Sequence, residues 1–556
     1  MSQRSGKRSN LTKTGLKRLL RNRFGLNEFR PGQEEVIQNV LRGIDTLAVM
    51  PTGAGKSLCY QLSSLALPGM TVVISPLIAL MDDQAKKLES HGVDIAVLNS
   101  TKNRLDEMQA LNEIAEEKNE IIFLTPERLQ TPEVLRHLSN ILIDILVIDE
   151  AHCISQWGHD FRPAFLEIPY VLKSLGNPPI LALTATATEE VAQDICTQLG
   201  RPQMKVINAS VYRPNLHFSV KQVSKESEKM EELERILQNV KGSIIIYTAT
   251  VKAAEAVYGH LQQANYPVQI YHGRMRSEQR RQAQEQFMTL SNNIMVATNA
   301  FGLGIDKPDV RAVIHYQMPS SVEAYYQEAG RAGRDDQIAK CILLFNHNDR
   351  RIQNFFLAGQ DITPSDIQQL WQTLVESATS IKTVSELAKY AKKLPSLIVR
   401  VVFRALRDEG FVKVERGKYV LLQKKLNDDD VVRLAENYNQ RYENDRIKLE
   451  QLISYAFNAR CRWLNIVEYF GETFNLANCG TCDNCMNPPI AVKESDAVTI
   501  PKLQSSLKKS KFELGQKVKV RKYGEGSITA IAGEIVTITF SDGVNRSFLS
   551  SSIKSY

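Results

Sequence analysis

The run Met50-Pro-Thr-Gly-Ala-Gly-Lys-Ser57 constrains the fold of this chain more than any other eight residues. It follows the short apolar stretch Thr46–Val49 and precedes a helical pattern. Glycines at 53 and 55 let the backbone turn tightly enough for successive N–H groups to converge on one point. A helix starting beside them adds its own unpaired N–H groups and the positive end of its dipole. A strand–loop–helix unit of this kind cradles phosphate. Thr52, Gly53 and Gly55 would supply backbone, Lys56 a positive charge at the terminal phosphates, and Ser57 a hydroxyl for Mg²⁺. Met50 stands where the strict pattern has its first glycine. The competing reading, a chance glycine-rich turn, does not explain the strand in front of it.

A phosphate loop needs a parallel sheet behind it, and the sequence supplies one. Thr46–Met50, Thr71–Ser75, Ile121–Thr125, Ile145–Asp149 and Ile180–Thr184 are short apolar runs separated by helical patterns, as expected for strands buried on both faces. The alternation restarts after Arg213-Pro-Asn with Gly242–Thr248, Val268–Tyr271, Ile294–Thr298, Ala312–Tyr316 and Cys341–Phe345. Two consecutive α/β domains, 1–208 and 209–346, are the simplest account. Beyond Asn346, residues 363–422 read as three helices and a hairpin. The third helix, Pro395–Glu409, is closed by Gly410, and the strands Phe411–Glu415 and Lys418–Leu422 flank a turn at Arg416-Gly417. This is a winged-helix pattern, with an accessory helical hairpin as the alternative, and it assigns 347–425 to one segment. Residues 430–470 read as two long helices within a unit spanning 426–487. A linker at 488–511 and a small β-barrel at 512–556 follow. At 556 residues, the chain has room for this many units.

Leu146-Val-Ile-Asp-Glu-Ala-His152 is the second chemical motif. An apolar strand delivers Asp149 and Glu150 to its C-terminal end, where ligands bind in such sheets. Asp149 would hold Mg²⁺ through water and Glu150 would orient an attacking water. Alone, two acids after a strand could merely begin a helix; with a phosphate loop upstream they complete a nucleotide site.

Four of the eight cysteines stand alone, at 59, 153, 196 and 341. Cys461, Cys479, Cys482 and Cys485 are spaced C-x17-C-x2-C-x2-C, which reads as a metal site rather than a disulfide set. Four thiolates suit a closed, structural Zn²⁺ site. An iron–sulfur cluster is the competing reading.

The phosphate loop, the Asp-Glu-Ala-His box and Leu183-Thr-Ala-Thr-Ala-Thr188 together resemble a superfamily 2 helicase. Phe24-Gly-Leu-Asn-Glu-Phe-Arg-Pro-Gly-Gln33 resembles the adenine-sensing motif of RecQ helicases, and Cys153-Ile-Ser-Gln-Trp-Gly-His-Asp-Phe-Arg-Pro163 their aromatic-rich loop. Tyr247-Thr-Ala-Thr, Tyr271-His-Gly-Arg-Met, Ala297–Asp306 and Gln327-Glu-Ala-Gly-Arg-Ala-Gly-Arg-Asp335 extend the likeness, and the cysteine region shares it. The resemblance implies two tandem RecA-like domains, then the helical and winged-helix segment, a zinc-binding helical domain and the terminal barrel. It implies an ATP-dependent, 3′-to-5′ DNA helicase of recombination and repair using ATP, Mg²⁺ and Zn²⁺. An RNA helicase and a DNA-binding scaffold are the alternatives. Phe24, Arg30 and Gln33 would bind the nucleotide, Gln33 at the adenine edge. Arg334 would be the arginine finger, with Arg331 beside it. Gly304 and Asp306 would couple cleft closure to the motor. Trp157, His159, Phe161 and Arg162 would contact single-stranded DNA, although aromatic residues in a loop can equally be packing anchors.

In the better-known RecQ arrangement the zinc domain precedes the winged helix; here the order is reversed. In place of a helicase-and-RNaseD domain stands Phe512–Tyr556. Its run Gly515-Gln-Lys-Val-Lys-Val-Arg-Lys-Tyr-Gly-Glu-Gly-Ser-Ile resembles the Tudor-like barrels of some bacterial UvrD-type helicases, which can bind RNA polymerase. Charge agrees with a polyanionic partner, which the resemblance makes single-stranded and branched or forked DNA. Residues 1–30 hold nine Lys/Arg and one acid, and 502–522 hold eight and one, against a whole-chain charge of +7, so the body between is net acidic. Two solvated, flexible ends would account for the same pattern. No apolar stretch is long enough to span a membrane, and the basic N-terminus leads into no apolar core. A cytoplasmic, nucleoid-associated protein is expected.

Overall fold

The computed structural model describes residues 12–488, apart from 100–103, 156, 159–160, 303–304, 358–361, 378–385, 388–390, 392–393, 416–417, 423–424 and 475, and beyond them Gln516 and the strands between 517 and 555. The apolar runs form two parallel sheets. The first contains β1 (Thr46–Val49), β2 (Met70–Ile74), β3 (Ile95–Leu98), β4 (Ile121–Leu124), β5 (Ile143–Ile148), β6 (Ile180–Thr184) and β7 (Lys205–Asn208), in the order β3-β4-β2-β5-β6-β1-β7. The second contains β8 (Leu216–Gln222), β9 (Ser243–Tyr247), β10 (Val268–Tyr271), β11 (Ile294–Ala297), β12 (Val310–His315) and β13 (Ala339–Phe345), in the order β10-β11-β9-β12-β13-β8.

Helices cover both faces of each sheet, so successive strand residues enter different cores. Leu47, Val49, Leu146 and Ile148 face one core of the first domain, and Ala48, Ile145 and Val147 the other. In the second domain Ile244 and Ile246 point one way, Ile245 and Tyr247 the other. Burial on both faces is why these strands carry no polar alternation.

The region after β13 departs from the expected division into separate domains. A single 30-residue helix, Asp428–Phe457, replaces the first of two expected long helices, and the second is only eight residues, Arg462–Tyr469. Asn427 caps the long helix by accepting from the Asp430 N–H, and Asp428, Asp429 and Asp430 complement its dipole. Extended backbone at Asn458 ends it. Cys461, expected on a helix, is instead the non-helical cap of the short one.

The long helix serves two cores. Its first turns, with Val431, Leu434 and Ala435, pack with the helices Pro364–Ser377 and Ser396–Asp408 and the hairpin Val412–Glu415/Lys418–Leu421. Pro395 caps the second of these helices and Gly410, at φ +76°, follows it. The hairpin turn at 416–417 lies outside the described residues. The last turns of the long helix, with Leu449, Leu452 and Ala456, join Trp463, Ile466, Val467 and Cys482 in the core beneath the second sheet. The cysteine region is therefore continuous with the second α/β domain. Trp463 is fully buried and donates to the Leu216 carbonyl at 3.0 Å.

The described residues from Gln516 onward belong to a second compact unit. Its strands Lys517–Val520, Gly524–Ala532, Ile535–Phe540, Asn545–Leu549 and Lys554–Ser555 make one antiparallel sheet, paired by the backbone from Lys517↔Ser527 through Ile535↔Leu549. No helix among the described residues is long and apolar enough to cross a membrane.

Candidate active site and metal centre

β1 ends at Val49 and the chain turns through Gly53 (φ +87°) and Gly55 (φ +75°) into the helix Lys56–Ser64. Both glycines occupy backbone that side chains disfavour. A Cβ on Gly55 would also stand 2.7 Å from the Gln33 amide nitrogen. Lys56 Nζ donates to the Met50 carbonyl at 3.3 Å. Two strands away β5 delivers Asp149 and Glu150. Glu150 sits at φ +51°, a conformation uncommon for a non-glycine residue. Burial pushes the Asp149 carboxyl up, and the adjacent Glu150 charge adds to it. Burial pulls the Lys56 ammonium down, against the attraction of Glu150 and Asp149. A phosphate-bound divalent cation here would reverse the balance at the carboxylates.

The second domain closes over this ledge. A cavity of about 680 Å³ lies between them, lined by Phe24, Lys56, Asp149, Asp306, Arg331 and Arg334, with Arg30, Thr52, Gly53, Gly55, Ser57 and Glu150 also on its wall. Arg334 pairs with Asp306 at 2.8 Å, and Asp306 also takes Lys87 of the first domain at 2.7 Å. Burial opposes the Asp306 charge, but Arg334 and Lys87 outweigh it and hold the carboxyl down at about 2. Arg30 bonds the Gly53 carbonyl and Asp336, the latter at 3.2 Å. The buried Nε atoms of Arg331 and Arg334 have no hydrogen-bond partner among the described residues. Two unpartnered guanidinium donors above a phosphate loop fit a polyphosphate with its Mg²⁺, and Ser57 and Asp149 on the same wall are the residues that would hold the ion.

Gln33 departs from its expected place. It is 2% exposed and does not line the cavity. Its amide donates to the Ala54 and Gly55 carbonyls at 2.8 and 3.0 Å and accepts from Arg30 N–H at 2.8 Å. Both of its donors are spent on the phosphate loop, so in this structure it braces the loop rather than facing a base. Gly304 lies outside the described residues.

The aromatic loop leaves the same end of β5. Trp157 is half-buried and packs against the first-domain core, while Lys448 of the long helix donates to its carbonyl at 2.6 Å. Arg441 of that helix lies over the Phe161 ring, 4.5 Å from its centre, and Arg162 donates to the Pro76 carbonyl at 3.1 Å. His159 lies outside the described residues. The sequence reading missed Lys87, Arg441 and Lys448. Single basic residues on helices carry no motif, and only the packing gives them a role.

The four clustered cysteines come together. Their sulfurs all lie within 4.8 Å of one another, and Cys479 and Cys485 are 3.8 Å apart. A tetrahedron with Zn–S bonds of about 2.3 Å has edges of roughly 3.8 Å, so the donor set fits Zn²⁺. Backbone N–H groups of Thr481 and Cys482 donate to Cys479 Sγ at 3.4 and 3.3 Å, and Arg462 N–H to Cys482 Sγ at 3.4 Å. Such bonds favour thiolates. Behind them Arg462 holds Asp483 through two bonds of 2.9 and 3.2 Å, and Asp483 accepts from the Val220 N–H at 2.8 Å, tying the knuckle to β8.

Residues 30–195 match the DEAD/DEAH box helicase family model, 228–336 the helicase conserved C-terminal domain, and 420–486 the RecQ zinc-binding domain. The probable ATP-dependent DNA helicase RecS of Bacillus subtilis is 40% identical over 363 residues, 65% of this chain and 73% of that protein. The ATP-dependent DNA helicase RecQ of the same organism is 43% identical over 63% of this chain and 60% of its own length. The ATP-dependent DNA helicase RecQ of Synechocystis is 33% identical over 85% of this chain and 98% of its own length. Among solved structures, the DUF1998 helicase MrfA bound to DNA superposes with a TM-score of 0.51 at 20% identity, covering 79% of this chain and 64% of that one, a likeness of fold.

Proposed function

The chain belongs to the RecQ family of ATP-dependent DNA helicases, and we propose that it moves 3′ to 5′ along one strand of forked DNA, separating the duplex, in recombination and repair. One observation carries the ATPase part of this reading: Lys56, Asp149 and Glu150 of one domain and Arg331 and Arg334 of the other line a single cavity.

In this reading the phosphate-loop N–H groups and Lys56 hold the β- and γ-phosphates of ATP. Glu150 orients a water and accepts its proton as the water oxygen bonds to the γ-phosphorus and the bond to the β-phosphate oxygen breaks. Mg²⁺, when bound, spreads the charge of the phosphate oxygens, with Ser57 and Asp149 as the residues that would hold it. Arg334 leaves Asp306 for the transferring phosphoryl group, a contact worth about 10³–10⁵ in rate. Asp306 is then left with Lys87 of the first domain as its ion-pair partner, so the state of the nucleotide reaches the domain interface. Phe24 and Arg30 bound the nucleotide's outer end, and Gln33 meets adenine only once the loop releases it. Trp157, His159, Phe161 and Arg162 sense DNA and report it to Asp149 and Glu150. The sheet beyond residue 516 docks on a protein, an acidic surface such as RNA polymerase or a repair factor, and the protein works in the cytoplasm on the nucleoid.

ATP turnover with single-stranded DNA, with RNA and with neither tests the reading. DNA should stimulate strongly and RNA weakly. Stimulation by RNA alone would make this an RNA-directed member of the superfamily, and DNA binding without turnover a scaffold.

A further inference from the structure

Ala209 still belongs to the first domain, its N–H donating to the Val49 carbonyl at 2.9 Å, but the rest of the segment leading into the second sheet, 210–215, is fastened on the other side. Glu472 accepts from the Val211 N–H at 3.0 Å and the Ser210 hydroxyl at 2.8 Å, and the Tyr326 hydroxyl donates to the Val211 carbonyl at 2.6 Å. The Tyr212 ring meets Trp463 and Phe474 edge-on, each at 5.0 Å. Every one of these partners belongs to the second domain or to the cysteine region fused with it. The linker therefore travels with the second domain.

Arg213 is the exception that reaches back. It is 9% exposed, and four of its hydrogen bonds go to carbonyl oxygens. Three belong to the turn that carries Arg331 and Arg334: Gly330 at 2.8 Å, Ala332 at 3.0 Å and Gly333 at 2.6 Å. The fourth is Thr52 of the phosphate loop, at 3.1 Å. The turn and the loop are in direct contact here, since a Cβ on Gly330 would stand 3.0 Å from Thr52 Cβ. Gly333, at φ +56°, is further held by Asn215, whose amide donates to its carbonyl at 2.8 Å.

The count of bonds is asymmetric, and that sets what Arg213 does. Opening the cleft breaks one of the four and leaves three. A rigid fork of five N–H donors can span four carbonyls in this way, and the three donors of a lysine ammonium cannot. We propose that Arg213 is a positioning residue for ATP hydrolysis: it fixes the backbone between the two arginines and sets that turn in register with Thr52 when the cleft closes. It stays outside the cavity lining and touches no reacting atom. Its effect is felt through Arg334.

The inference rests on the ATPase reading, and the wild-type protein separates the two. Arg213→Lys should lower kcat for DNA-stimulated ATP turnover about 10²-fold, the cost of a misplacement of about 1 Å, with KM for ATP within a few-fold. In the Arg334→Ala background the same change should cost less than about twofold, because residues acting as a unit are not additive. Gly330→Ala, which pushes the turn from the loop while keeping the Arg213 side chain and the Gly330 carbonyl it donates to, should show the same kcat loss and the same non-additivity. It serves also if Arg213→Lys fails to fold. Full additivity with Arg334→Ala, or a normal kcat in both variants, would overturn the inference alone. Wild-type protein with no ATP turnover would remove the reading and the inference together.

Discussion

Trp157 is the residue at which two readings of one side chain meet. Its ring is packed on the first-domain core, as an anchor would be, yet it is not fully buried, and its carbonyl is held by Lys448. Trp157→Ala should lower DNA-stimulated ATP turnover far more than turnover without DNA, if the loop that follows Asp149 and Glu150 in the chain is the one that senses DNA. Parallel turnover assays check this, and an equal loss in both would make Trp157 a core anchor. At this scale the sequence was informative wherever several residues had to cooperate in one motif: Lys56, Asp149, Glu150, Arg331 and Arg334 stand on one cavity wall. It was less so where a residue's partners come from elsewhere in the chain. Gln33 spends its amide on Ala54 and Gly55, 21 and 22 residues away. Arg213 looked like a boundary marker because its four carbonyl partners lie more than 100 residues away on either side.

The cysteine knuckle shows the same division among elements. The spacing of Cys479, Cys482 and Cys485 announced a metal site, and the four sulfurs do converge. The spacing gave no sign that the knuckle shares a core with the second sheet. That follows from Trp463, Ile466 and Val467, an apolar face on a helix of eight residues, too short to be stable alone. Strands tell a similar story. Runs buried on both faces were plain, whereas β8 has the alternation Leu216-His-Phe-Ser-Val of a half-buried edge and β7 is mostly exposed. Because metal and core are joined, Cys482→Ser should lower the folded yield of the whole motor and remove one equivalent of zinc. Structural zinc contributes on the order of 10–16 kcal/mol in small zinc peptides. Metal analysis of native and variant protein decides this, and iron or no metal in the native protein would contradict it.

The whole molecule is a motor with basic ends. Residues 502–522 carry eight Lys/Arg to one acid, ahead of and into a separate antiparallel sheet. Deleting 501–556 should leave ATP turnover intact and abolish co-purification with an acidic protein partner. If the truncated protein instead bound DNA more weakly, with a salt slope shallower by about 0.9 per lost phosphate contact, the tail would be a DNA clamp. The central claim is that ATP hydrolysis in the cleft drives strand separation. The most direct measurement is unwinding of one duplex carrying either a 3′ or a 5′ single-stranded tail, by the native protein and by Lys56→Ala. The native protein should unwind the 3′-tailed duplex in an ATP-dependent way and the 5′-tailed one little, and Lys56→Ala should unwind neither while still binding DNA. Unwinding by Lys56→Ala at the native rate would contradict the claim.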